Sequence, residues 1–224
     1  MARIVFDLDG TLVDSAPDIR AHASAILARE GATPLTLDET RRFVGNGAAV
    51  FVARMRAARG IPDGEQARLL AAFHAGYDAA VNLTLPYPGV VPALDTLAAA
   101  GHRLGICTNK PLGPCRALLA HLGLLDRFAV TIGGDSTPVV KPDPAPLRAA
   151  FAALGEGPML YVGDSEIDAE AAARAGVPFL LFTEGYRRSP PEAIPHDAAF
   201  ADFAALPAHV AELLARAGAA AEGP

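Results

Sequence analysis

The stretch Ile4-Val5-Phe6-Asp7-Leu8-Asp9-Gly10-Thr11-Leu12-Val13-Asp14 decides how this chain folds. Its short apolar run, β-branched and aromatic, has the character of a buried strand. The run ends abruptly in two carboxylates two positions apart, where Gly10 permits a sharp turn and Thr11 adds a hydroxyl. Carboxylates at the carboxyl end of a buried parallel strand lie where open α/β sheets bind their ligands. Two acids that close repel each other unless a cation or a shared proton relieves them. The arrangement points to a metal site, to a nucleophile paired with an acid/base, or to both. A calcium loop begins similarly but needs Gly at its sixth position and Glu at its twelfth, where this chain has Leu12 and Asp18.

Outward from this stretch, the first strand, at 4–8, is followed by about seventy residues with mainly helical patterns. Ser15-x-x-Asp18 with Pro17 starts a helix that Gly31 stops, and Thr36-x-x-Glu39 is a capping box opening a shorter one. Gly45-Asn46-Gly47 breaks the pattern, a third helix reaches about 59, and a fourth is expected over roughly 63–82. After Pro86-Tyr87-Pro88-Gly89 the pattern alternates: helix 90–100, strand 103–107, helix 111–122, strand 128–132, helix 144–154, strand 159–162, helix 166–175, strand 178–182 and helix 203–216. Helices alternating with apolar strands predict an α/β fold, a doubly wound, Rossmann-like parallel sheet. The expected organisation is a catalytic core of 1–14 and 86–216, an inserted helical cap of 15–85, and a tail that frays over 217–224.

Composition narrows the function classes. The 224 residues are 51% hydrophobic and 20% charged, which suits a folded enzyme-sized chain and carries no disorder signature. No apolar run approaches a membrane span, and only Met1-Ala2-Arg3 precede the first strand, which argues against a signal peptide and for the cytoplasm. A net charge of −6 argues against nucleic acid as a partner. Cys107 and Cys115 are too few for a disulfide framework or a zinc site, and the six histidines show no metal spacing. Of the 19 basic residues only Lys110 and Lys141 are lysines, each followed by proline. A lysine is a compact point charge and is not interchangeable with arginine in a tight phosphate site.

The strand ends then line up. They carry Asp7 and Asp9; Thr108-Asn109-Lys110; Gly133-Gly134-Asp135, with Lys141-Pro142 shortly after; and Gly163-Asp164-Ser165-Glu166-Ile167-Asp168. In a parallel sheet these ends share one rim. Each alone could be a turn or helix cap, but together they put acids and a rare lysine in one place.

In order, Asp7-Leu8-Asp9-Gly10-Thr11, Thr108-Asn109, Lys141-Pro142 and Gly163-Asp164-x-x-x-Asp168 resemble the four motifs of the haloacid dehalogenase superfamily of phosphohydrolases, over nearly the whole chain. Val44-Gly45-Asn46-Gly47-Ala48, Thr108-Asn109-Lys110-Pro111, Ile132-Gly133-Gly134-Asp135 and Gly185-Tyr186 are similar to the bacterial phosphoglycolate phosphatase branch. The resemblance implies a phosphomonoester hydrolase working through an aspartyl phosphate, with 2-phosphoglycolate as the expected substrate. It implies Asp7 as nucleophile and Asp9 as acid and base. It implies Mg²⁺ held by Asp7, the Asp9 backbone carbonyl and Asp164, with Asp168 supporting the ligands or anchoring a water. Lys141 would neutralise Asp7 and a phosphate oxygen, with Thr108 and Asn109 donating to that phosphate. Gly45, Asn46 and Gly47 are candidate substrate contacts from the cap, through backbone amides at a helix start.

Other readings remain: a phosphatase of another small metabolite, a sugar phosphomutase on the same scaffold, or a phosphoacceptor regulatory domain. Receivers of the last kind are about half this length and lack inserted helices, and a dehalogenase has no use for Asp9 or Mg²⁺. The expected partner is a small phosphomonoester, with no nucleic acid or membrane, and the chain is expected as a monomer or homodimer.

Overall fold

A computed structural model describes residues 1–221. Along the chain run β1 (Arg3–Phe6), β2 (Val13–Asp14), α1 (Ala16–Arg29), α2 (Leu37–Phe43), α3 (Ala48–Ala58) and α4 (Gln66–His74). Next come β3 (Leu85–Pro86), α5 (Val90–Ala99), β4 (Arg103–Cys107), α6 (Leu112–His121), β5 (Val130–Ile132), α7 (Ala145–Ala153) and β6 (Met159–Gly163). α8 (Glu166–Ala175), β7 (Phe179–Phe182), β8 (Ala198–Phe200) and α9 (Leu206–Ala221) complete it. The tail expected to fray from 217 is helical to Ala221, and 222–224 lie outside the described residues. No helix among the described residues is long and apolar enough to cross a membrane.

Six strands form one sheet in the order β5-β4-β1-β6-β7-β8, every neighbouring pair parallel. Strand alternation sends side chains to opposite faces. Ile4, Phe6, Leu104, Ile106, Leu160, Val162, Leu180 and Phe182 therefore face α5, α6 and α9, in one apolar cluster. Val5, Tyr161, Phe179 and Leu181 face α7 and α8 in another. Burial on both faces explains why these strands are continuously apolar in sequence. β1 lies centrally between β4 and β6, so whatever follows its last residue is flanked by the ends of both neighbours.

Helices α1–α4 pack around a separate cluster that includes Ile19, Leu27, Phe51, Met55, Leu69 and Phe73. The two strands joining them to the sheet pair with each other: Val13–Asp14 runs antiparallel to Leu85–Pro86. The capping box on α2 forms as read, Thr36 Oγ1 accepting from Glu39 N and Glu39 accepting from Thr36 N. The single helix expected over 63–82 does not form. α4 stops at His74 because Gly76 turns into the left-handed region at φ 94°, which glycine adopts without a Cβ penalty. One short turn follows and carries Tyr77 inward. At α1 the helix starts where read but without a side-chain cap. Asp18 instead turns across to the returning segment, where one oxygen accepts from Leu83 N (2.9 Å), Thr84 N (2.7 Å) and Thr84 Oγ1 (2.6 Å). Asp18→Ala leaves these buried donors unpaired. It is expected to lower stability by on the order of 3 kcal/mol in denaturant melts, with Asp18→Asn costing less because an amide oxygen still accepts.

Candidate active site

Asp7 emerges from β1 towards the α7–α8 side and meets Lys141 Nζ at 2.9 Å. That ammonium also donates to Asp168 Oδ1 and to the Tyr161 hydroxyl, both at 2.7 Å. An ammonium has three donors, so all three of Lys141 are engaged. Tyr161 in turn donates to Asp168 Oδ1 at 2.8 Å, while Asp168 Oδ2 accepts from Ser165 Oγ (2.6 Å) and Ser165 N (3.2 Å). Ser165 and Asp168 cap α8 reciprocally, which sets Asp168 in place.

Asp164, at the end of β6, is clamped from two sides. Thr11 Oγ1 donates to Oδ1 at 2.8 Å and the Tyr186 backbone N–H to Oδ2 at 2.6 Å. Gly10 makes this approach feasible: its φ is 92°, and a Cβ there would lie 2.6 Å from Asp164 Oδ2. Gly185 packs against the Gly10 carbonyl and Asp164 with no room for a side chain. Oxygens of Asp7, Asp164 and Asp168 lie within 4.8 Å of one another.

Asp9 turns the other way. Its Oδ1 lies 3.4 Å from Lys110 Nζ, which donates to the Tyr77 hydroxyl at 2.7 Å and sits 4.2 Å from the Tyr77 ring centroid. The two acids of the opening stretch thus face different surroundings, and both line the two clefts that meet between sheet and helices. The first cleft is lined by apolar side chains of the helical layer, among them Ile19, Val44, Phe51 and Phe73.

Electrostatically the site is overloaded with acid: buried Asp7, Asp164 and Asp168 and the nearly buried Asp9 face two buried ammonium groups, Lys110 and Lys141. Burial pushes Asp7 up to about 7 against the pull of Lys141, with Asp168 and Asp9 adding to the push. Burial and the charges of Asp168 and Asp7 hold Asp164 well above the ordinary carboxylate range. Asp168 goes the other way: burial alone would raise it, but Lys141, Ser165 and Tyr161 together hold it low. Burial would lower the Lys110 ammonium, yet Asp9 and Tyr77 outweigh it and raise its pKa. Asp7 and Asp164 are thus uneasy as anions in this protein alone, which is what a divalent cation with oxygen ligands relieves. The donor set fits such an ion. Each Asp168 oxygen already accepts from two donors, whereas each Asp164 oxygen accepts from one and Asp7 meets only Lys141, so Asp7 and Asp164 keep more free lone pairs for such an ion.

The other residues singled out in sequence divide. Thr108 Oγ1 accepts from Lys110 N at 3.2 Å, leaving its hydroxyl proton to donate into the cleft. Asn109 has both amide donors committed, to the carbonyls of Gly45 and Lys141 at 2.9 Å each, and its Oδ1 accepts from Lys141 N. Donation by this side chain to a phosphate requires release of one of these bonds. Gly45 and Gly47 line the cleft, whereas the Asn46 side chain accepts from Arg54 (2.8 Å) and Arg188 (3.2 Å). Asp135 stands apart, accepting from Leu112 N at the start of α6. His22, His102 and His196 bond to backbone, and among the described residues no histidine joins an acid cluster able to hold a metal.

The sequence analysis assigned no role to Tyr161, Ser165 or Tyr77, and it named the Thr11 hydroxyl without its partner, Asp164. Tyr161 did leave a signal: a tyrosine inside a wholly buried strand needs a partner for its hydroxyl. Tyr77, in a helical pattern, left none.

Comparison with known proteins agrees with this geometry. A family model described as haloacid dehalogenase-like hydrolase matches residues 1–176. A Cereibacter sphaeroides protein named phosphoglycolate phosphatase is 52% identical over 218 residues, 96% of this chain and all of that one. One of the same name from Caulobacter vibrioides is 42% identical over 92% of this chain and 89% of its own. Among solved structures, a predicted phosphoglycolate phosphatase from Haemophilus somnus superposes with a TM-score of 0.85 at 32% identity, covering 92% of this chain and 96% of that one. With its motif residues gathered at the end of β1 as that fold requires, this chain belongs to the haloacid dehalogenase-like hydrolase family.

Proposed function

We propose that this enzyme hydrolyses 2-phosphoglycolate to glycolate and phosphate through an aspartyl phosphate on Asp7, with Mg²⁺ held by Asp7, Asp164 and the Asp9 backbone carbonyl. The observation that carries the mechanism is the division of the two strand-end acids. Asp7 faces Lys141 and the acid cluster, and Asp9 faces the cleft under the helical layer. A nucleophile needs the first environment, where Lys141 draws its proton off against the push of burial and a bound cation would complete its ionisation before it meets an anionic phosphate. A general acid needs the second, where the departing group leaves.

In this scheme an Asp7 oxygen attacks phosphorus, and the bond to the bridging oxygen breaks with its electron pair on that oxygen. Asp9 gives the bridging oxygen a proton, then takes one from the water that attacks the aspartyl phosphate. Bound Mg²⁺ supplies positive charge that offsets the repulsion between carboxylate and phosphate. Thr108 donates its free hydroxyl proton to a phosphate oxygen. Lys141 acts through its charge on Asp7, and reaches a phosphate oxygen only by exchanging its bond to Tyr161. Asn109 aligns the site, tying the Lys141 backbone to Gly45. Helices of 15–85 serve as the cap that excludes water.

The names borne by the relatives favour a short acid over a sugar, and the apolar wall of Ile19, Val44, Phe51 and Phe73 would leave sugar hydroxyl groups on that side unpaired. Phosphate release from 2-phosphoglycolate, β-glucose 1-phosphate, pyrophosphate and a nucleotide tests the substrate. The highest kcat/KM is expected for 2-phosphoglycolate. A preference of about tenfold or more for a sugar phosphate or nucleotide would overturn that assignment and leave the hydrolase mechanism standing.

A further inference from the structure

We propose that Lys110 determines specificity by binding the carboxylate of the leaving group, a role resting on the substrate reading above. Lys110 is the one cation among the residues lining the first cleft. Its side chain is 2% exposed, so its charge is directed into the protein and not into solvent. Two of its three donors are accounted for, one to Tyr77 at 2.7 Å and one towards Asp9 at 3.4 Å. The Asp9 contact is long for a charge-assisted bond, which ordinarily closes to about 2.7–2.9 Å. Lys110 is therefore not simply the partner of Asp9; it stands beside Asp9 with a donor to spare.

That position is informative because Asp9 marks where the leaving oxygen must lie. An acid that protonates this oxygen has to come within hydrogen-bond reach of it. In an O–CH₂–COO⁻ leaving group the carboxyl carbon is two bonds away from that oxygen. Such a carboxylate falls beside the ammonium neighbouring Asp9, with the CH₂ against the apolar wall of Ile19, Val44 and Phe73. Tyr77 packs its ring on Phe73 of the helical layer while the turn that carries it lies against α6, so its hydroxyl holds the Lys110 ammonium in place at the cleft. A neutral leaving group of the same length would leave the Lys110 charge buried with an unmatched donor. Selection would accordingly come from the site rejecting neutral esters as much as from attraction of the acid.

The test is the ratio of kcat/KM for 2-phosphoglycolate to kcat/KM for 2-hydroxyethyl phosphate, which replaces the carboxylate with a neutral hydroxymethyl group. In Lys110→Met this ratio is expected to fall at least about thirtyfold, mainly through KM for the acid, with the neutral ester losing far less. A ratio unchanged by the substitution, or parallel losses on both esters, would show that Lys110 serves only Asp9 or the fold and would overturn the proposal. A wild-type enzyme that prefers the neutral ester would overturn the substrate reading itself, and the carboxylate role with it. Should Lys110→Met fail to fold, Tyr77→Phe takes its place, since it keeps the packed ring and removes only the hydroxyl that orients the ammonium. Its ratio is expected to fall by about threefold or more, and an unaltered ratio would overturn the proposal.

Discussion

Asp7→Asn is expected to bring turnover to background on every phosphomonoester, and no acid-stable, hydroxylamine-sensitive phosphoenzyme should be trapped after rapid quenching. The amide cannot attack phosphorus as a carboxylate does, and no other carboxylate at the site is placed to substitute. Asp168 has both oxygens bound and Asp164 is clamped between Thr11 and Tyr186. Asp9→Asn should behave differently, because it keeps the nucleophile and removes only the proton donor and acceptor. Glycolate is a poor leaving group without a proton, so turnover of its phosphate should drop by about 10²–10⁴-fold. An aryl phosphate leaves readily unprotonated, so its phosphorylation step should be much less affected. Breakdown of the aspartyl phosphate still lacks its base, so a burst of phenol release and an accumulated phosphoenzyme are expected. Equal losses in the phosphorylation rate for aryl and alkyl substrates would remove Asp9 from the acid role.

Removal of divalent cations should be equally severe. EDTA is expected to abolish turnover, Mg²⁺ to restore it, and Ca²⁺ to inhibit, because the larger ion accepts a bidentate carboxylate and can hold Asp7 out of line. Stability gives an independent readout. Asp7 rises from 3.8 to about 7 on folding, and Asp164 is raised as well. The folded protein therefore holds these protons more tightly than the unfolded chain does. The stability they contribute is fully present below pH 3.8 and is lost as pH rises towards about 7, a change on the order of a few kcal/mol in the metal-free protein. Mg²⁺ binds the ionised forms, so the gain in Tm on adding Mg²⁺ should grow steadily from about pH 4 to about pH 7. Asp7→Asn should flatten that dependence and raise the metal-free Tm at neutral pH while abolishing activity. A Tm gain independent of pH, or full turnover in rigorously metal-free enzyme, would exclude a cation bound through Asp7.

Much of the candidate site is legible in the sequence because its signals are local. A buried parallel strand must be apolar on both faces, so β1, β4, β6 and β7 stand out, and polar residues just past their ends mark the rim. The scarcity of lysine drew attention to Lys110 and Lys141, and both lie at the site. Other features carried no comparable mark. β8 is Ala198-Ala199-Phe200, too short and too small-residued to announce itself, and it forms because it pairs with the edge of β7. The β2–β3 ribbon has only two residues per strand and depends on bringing 13–14 against 85–86. The break at Gly76 lay within a helical pattern, and helical propensity yielded there to the packing of Tyr77 against Phe73 and Lys110.

By itself, then, the amino-acid order determined that the chain would build a parallel α/β sheet, where its strands would end, and which polar residues would follow those ends, Asp135 among them although it turns away to cap α6. Periodicity, capping and turn chemistry act over a few residues and can be read along the chain. Tertiary structure alone decided which way each side chain turns. Asp7 and Asp9 differ by two positions, yet one meets Lys141 and the other Lys110, 101 residues away. Thr11 and Asp164 bond across 153 residues, and Asn109 donates to the carbonyls of Gly45 and Lys141. Those assignments depend on burial, because a charge removed from water takes whichever partner the fold brings within reach.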